Sequence, residues 1–151
     1  MTSVNNQTTA LHKDPAFHLA IAGALIFWLL LYLYFQPPTD LSWPLRDPLA
    51  YLYPVLLFPI IEELIFRGFV QEFVQKHVTS RRISALTYAN LITSTLFVAL
   101  HFINHPPLWA VGVFIPSLIF GFFKDRTGKL TAPMLLHIFY NGGYLLIFTV
   151  R

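Results

Sequence analysis

The chain has 151 residues, of which 56% are hydrophobic, 17% aromatic and only 11% charged. Soluble domains carry about 25% charged residues, so this composition excludes an ordinary soluble globule and points to a polytopic membrane protein. The absence of cysteine excludes disulfides, thiol catalysis and thiolate metal sites together, and the net charge of +3 signals no nucleic-acid partner, because most basic residues flank apolar segments.

Residues 1–12 read as a polar N-terminal tail, mobile over its first ten positions, and 13–151 as a single transmembrane domain without internal repeat or linker. Segment 16–35 has no charged residue. At about 1.5 Å per residue it is long enough to cross a hydrocarbon core about 30 Å thick. It runs into Tyr32-Leu33-Tyr34-Phe35 and then Pro37-Pro38, an aromatic interface belt and a stop, which separates it from a cleaved signal peptide.

Four further spans are expected over 49–70, 84–103, 108–123 and 130–150. The second holds two of the chain's three glutamates, Glu62 and Glu63, with Arg67 close behind. A charged residue at a helix centre costs roughly 2.5 to 3.5 kcal/mol on insertion scales, so this trio requires partners within the protein and marks a functional-site candidate. Glu63 and Arg67 are four apart, the better order for an ion pair on one helix face. Glu62 lies about 100° around the helix, as a poorly solvated carboxylate facing a cavity. Pro54 and Pro59 are expected to kink this span and Pro116 the fourth.

The third span carries Thr87, Asn90, Ser94, Phe97 and His101 at spacings of three and four, one stripe on an otherwise apolar helix. Ser117 and Gly121 form a small-xxx-small pair for close packing of the fourth span. The tract Lys124 to Lys129 reads as a turn ending that span, with Gly128 at positive φ. The fifth span presents His137, Asn141 and Tyr144 on one face. His12, His18, His77 and His105 read as interfacial or loop residues. The expected architecture is an all-α membrane protein, a bundle of about five kinked transmembrane helices around a polar intramembrane cavity. With these boundaries, helical counting sets His137 about 10 Å and His101 about 25 Å from the same membrane face. The basic loops around 76–82 and 124–129 are expected in the cytoplasm, together with the N-terminus.

Three patterns now stand in order: Glu62-Glu63-Leu64-Ile65-Phe66-Arg67, Phe97-Val98-Ala99-Leu100-His101, and His137-Ile138-Phe139-Tyr140-Asn141. This set resembles the CPBP family of intramembrane glutamic endopeptidases, the CAAX prenyl proteases and bacteriocin-processing proteins that include the Ras-converting prenyl protease. The likeness covers roughly residues 51–145. It implies that Glu62 and His101 activate a water, that His137 and Asn141 stabilise the oxyanion, and that Glu63, Arg67 and Phe97 support them, without cofactor or metal. It further implies a membrane protein or peptide substrate, of which a C-terminal anchoring tail is one class. Many members have about eight spans, so a second copy or a partner membrane protein is expected to complete the wall. A multi-pass protein of a prokaryotic inner membrane fits this reading. The same residue types also suit a zinc protease, a proton-coupled transporter or a non-catalytic binding or immunity protein of the same fold.

Overall fold

The computed structural model describes residues 11–149, so most of the expected polar tail, and Arg151, lie outside the described residues. A short 3-10 turn, Leu11–Lys13, leads into helix α1, Pro15–Phe35. Asp14 caps α1 by accepting the Ala16 N–H at 3.0 Å, and Pro15 occupies the first turn, where its missing N–H costs nothing. The helix ends at Gln36, whose left-handed backbone (φ 43°) turns its N–H back onto the Tyr32 carbonyl. Ala24 and Trp28 are its buried residues. A Cβ on Gly143 would lie 2.2 Å from the Trp28 ring, so this glycine makes the notch into which the indole fits.

After a short helix, Trp43–Arg46, the chain enters α2, a continuous helical run over Pro48–His77. The Arg46 guanidinium bonds Asp40 in this connection and lowers its carboxyl to about 2. Of the prolines expected to kink this helix, Pro54 falls in a widened turn and Pro59 in regular α-helix. Two turns, Tyr53–Leu57 and Leu64–Val70, widen to π geometry and flank the α-helical stretch Phe58–Glu63. Such wide turns absorb extra residues in a helix and recur at functional sites.

A two-residue hairpin, β1 Arg82–Ile83 with β2 Leu86–Thr87, then precedes α3, Tyr88–His101. The span expected from residue 84 therefore begins four residues later, because Thr87 is the cap, accepting the Asn90 N–H at 2.9 Å. Helix α4 covers Pro107–Thr127 with a break at Val113. Pro116 has no N–H for the carbonyl of Gly112, which accounts for a break just upstream of it. The stretch Lys124–Thr127, expected as a turn, is the last turn of α4. The turn is confined to Gly128 at φ 68°, the positive φ expected there. Helix α5 spans Thr131–Phe148.

Among the described residues three helices are long and apolar enough to cross a membrane, α1, α2 and α4. The other two expected spans, α3 and α5, are helices that turn a polar stripe into the protein; α3 has 14 residues, about 21 Å of helix. Contacts at one end fix the relative directions. Arg126 bonds Asp14 at 3.0 Å, Lys124 bonds Glu72 at 2.5 Å, and Thr87 donates to Asp125 at 2.7 Å. The starts of α1 and α3 thus share an end with the finishes of α2 and α4. Phe120, Phe123, Ala132 and Leu136 form the apolar core between α4 and α5.

Candidate active site

Helix α2 supplies both glutamates from the α-helical stretch between its two π turns. Glu63 is fully buried, whereas the side chain of Glu62 keeps 30% of its exposure. Arg67, also fully buried, brings its Nε within 3.2 Å of Glu63 Oε2, the pairing expected from their spacing. Its Nη2 donates to the Ser117 carbonyl at 3.0 Å and to the Ser117 hydroxyl at 2.7 Å, which ties α2 to α4.

The second oxygen of Glu63 is 2.9 Å from Nδ1 of His137 on α5. A carboxylate only accepts, so this contact assigns the hydrogen to Nδ1. On the other side of the same ring, Nε2 lies 3.6 Å from Glu62 Oε2. The adjacent glutamates therefore converge on one imidazole, although a helix turns them about 100° apart, because the ring offers its two nitrogens in different directions. Phe120 stacks on this imidazole with centroids 4.7 Å apart and planes 23° apart.

Phe97 joins the third helix to this group. It is 2% exposed, packs edge-on to Phe66 at 4.9 Å and to His137 at 6.0 Å, and lies under the Arg67 guanidinium at 5.7 Å. One turn on, His101 donates from Nδ1 to the Phe97 carbonyl at 2.8 Å, since a carbonyl only accepts. The lone pair of the neutral ring is then on Nε2. His101 and His137 are thus separated by the single ring of Phe97, which narrows the separation in depth expected from helical counting. That count started α3 too early.

Asn141 lies one turn beyond His137, and its Nδ2 donates to the Pro54 carbonyl at 2.9 Å. The preceding carbonyl, of Tyr53, accepts from Phe58 five residues on. Pro54 in the same register would need the N–H of residue 59, which is proline. Asn141 therefore satisfies a carbonyl that this sequence orphans. Tyr144, expected on the same face, meets the Phe148 ring at 5.0 Å in a tilted contact and makes no described contact with the glutamates.

A polar ladder continues from Arg67 toward the hairpin. Gln71 donates to the Gly121 carbonyl at 3.0 Å and to Asp125 at 2.8 Å, and Asn90 donates to the Leu118 carbonyl at 2.9 Å. Ser117, Phe120, Gln71 and Asp125 were not singled out as site or network members by sequence. Ser117 carried a signal as a small residue one turn before Gly121; Phe120 carried none. An open apolar groove lined by Leu86, Ile115, Leu118, Ile119 and Phe122 contains none of the expected site residues. Among the described residues no three His, Cys, Asp or Glu side chains are grouped to hold a metal ion.

This arrangement combines a half-buried carboxylate, two imidazoles with fixed hydrogens and a buried cation, which is equipment for moving protons in a dry setting. A family profile described as Type II CAAX prenyl endopeptidase, Rce1-like, matches residues 42–143, a range that includes every residue of this cluster. Neither curated proteins nor solved structures give a match.

Proposed function

Because the chain belongs to the type II CAAX prenyl endopeptidase, Rce1-like, family and is thus an integral membrane protease, we propose that it is a glutamic-type endopeptidase that cleaves membrane-associated or C-terminally anchored proteins. Glu62 and His101 activate the water, His137 and Asn141 stabilise the oxyanion, and Glu63, Arg67 and Phe97 hold these groups. The observation that carries this reading is the convergence of both glutamates on the two nitrogens of His137.

The proposed resting state pairs Arg67 with Glu63 and takes His137 protonated on both nitrogens against Glu62, so that the ions balance. Glu62 then takes a proton as the water oxygen bonds to the peptide carbon. The positive charge left behind balances the oxyanion, to which His137 donates from Nε2. Collapse of the intermediate breaks the C–N bond, and Glu62 returns the proton to the leaving amine. His101, with its lone pair on Nε2, orients the water by accepting its second hydrogen. Asn141 uses one amide hydrogen on Pro54 and has a second for the oxyanion. Such donors are each worth about 3 to 4 kcal/mol.

The test is cleavage by Glu62→Gln and His137→Ala. Each is expected to lose at least about a hundredfold in rate, with Glu62→Gln melting like the parent. Substantial proteolysis by folded Glu62→Gln would overturn the reading. Comparative mass spectrometry of membranes holding the parent or Glu62→Gln identifies the substrates, and C-terminal tails shortened only by the parent are the expected class. The exposure of Glu62 supports a further wall from a second copy or a partner membrane protein, which crosslinking in membranes tests. In the proposed orientation the basic end, with Lys13, Arg81, Arg82 and Lys129, faces the cytoplasm, which the excess of Lys and Arg there supports.

A further inference from the structure

The connection from α3 to α4 holds a stack of rings that the proposed chemistry does not use. His105 lies over Trp109, with centroids 4.1 Å apart and planes 29° apart. Both rings face His101, His105 at 5.6 Å and 19°, Trp109 at 5.8 Å and 25°. Phe97 meets His101 at 4.3 Å.

The backbone explains how a surface histidine comes to this position. The N–H of His105 donates to the His101 carbonyl at 3.0 Å, closing the last turn of α3. The helix stops there: Pro106 is extended (φ −56°, ψ 144°) and forms the N-cap of the next helix. Pro107 starts α4, and the Ala110 N–H donates to the Pro106 carbonyl at 2.9 Å, which brings Trp109 back over His105. Ala110, the next residue, is fully buried, so this turn is anchored rather than free.

The hydrogen bond from Nδ1 to Phe97 sets one atom of the His101 ring. A single bond leaves the ring free to rock about it. Three rings lie around it, buried Phe97 and the more exposed His105 and Trp109, and they restrict that rocking. We propose that His105 and Trp109 are positioning residues that hold His101, acting through ring contact and not through a charge of their own. This rests on the proposed role of His101, and its test includes a measurement independent of cleavage.

The full-length protein is labelled with 15N-histidine in lipid nanodiscs, and the His101 imidazole signals are assigned by their loss in His101→Gln. In the parent they report one Nδ1–H tautomer. In His105→Ala and Trp109→Leu they are expected to broaden or move toward mixed tautomers. His105→Phe and Trp109→Phe keep a flat ring and are expected to retain the parent signals. Cleavage should follow, with kcat reduced roughly tenfold in the first pair at unchanged KM and restored in the second, since small misplacements of a reacting group cost up to about a hundredfold. Unchanged His101 signals in His105→Ala and Trp109→Leu overturn the proposal, whatever the cleavage rates. Equal loss in His105→Ala and His105→Phe overturns it too. Altered signals with unaltered cleavage uphold the positioning and instead remove His101 from the chemistry.

Discussion

Glu62 and Glu63 are neighbours with opposite obligations. Glu63 has no exposure and is shared between a cation and an imidazole, so its charge is a structural requirement of the buried group. Removing one partner of such a pair leaves the other unpaired and costs about 3 to 5 kcal/mol. Glu63→Gln is therefore expected to lower thermal stability in detergent markedly, and Arg67→Lys as well, because an ammonium cannot reach both Glu63 and Ser117 as the guanidinium does. Glu62→Gln is expected to melt near the parent, since its position is half-buried and His137 keeps its bond to Glu63 while giving up the proton on Nε2. Equal melting of the two glutamine variants would contradict this division. Most of it was legible in the sequence, since the insertion cost of three charges in one apolar segment demands partners and the spacing of Glu63 and Arg67 names the first. The convergence of both glutamates on His137 was not legible, because it depends on how two helices from distant segments face each other. Phe120 had no signal for a related reason: an aromatic residue in an apolar helix looks the same whether it meets lipid or an imidazole.

At the scale of the element, α2 departs from a regular helix at Pro54, as that proline foretells, and again over Leu64–Val70, where no proline announces it. The form of the departure follows from the π register, which a list of prolines does not disclose. In that register Pro59 deprives the Pro54 carbonyl of its partner, and Asn141 supplies one from α5. A double-mutant cycle tests the link. Asn141→Leu is expected to cost about 1 to 3 kcal/mol, the penalty of a buried carbonyl left unpaired. In a Pro59→Ala background the N–H of residue 59 becomes available to α2, and the cost is expected to shrink by about 1 kcal/mol. Additive effects, read from unfolding in mixed detergent, would show that the orphaned carbonyl is not what Asn141 answers. Between α3 and α4 the small residue expected for close packing proves to be Gly121, where a Cβ would lie 1.9 Å from the Asn90 side chain. Gly121→Ala is accordingly expected to separate these helices and to be among the most destabilising single-methyl additions in the chain.

At the scale of the molecule, charge sorts the ends of the helices as hydropathy sorts their sides. Ion pairs and hydrogen bonds gather Asp14, Glu72, Thr87, Lys124, Asp125 and Arg126 at one end, and the hairpin adds the exposed Arg81 and Arg82. The other end carries the connection from Asp40 to Asp47, where Arg46 pairs with Asp40. The alternation of helix direction could be read from the spacing of apolar segments. Spans are expected from the sequence at α3 and α5 as well, but among the described residues length and apolarity single out α1, α2 and α4, because polar stripes lower the signal of the other two. An excess of Lys and Arg holds an end on the cytoplasmic side. The chain contains no cysteine, so single cysteines report sidedness without background. In intact cells, Cys at position 81 or 129 is expected to resist a membrane-impermeant maleimide until the membrane is opened, and Cys at position 41 or 45 to react at once. The reverse pattern would invert the topology and turn the site toward the other compartment. Equal labelling of both sets in intact cells would mean that the two ends do not lie on opposite sides of the membrane, in conflict with the antiparallel order of the helices.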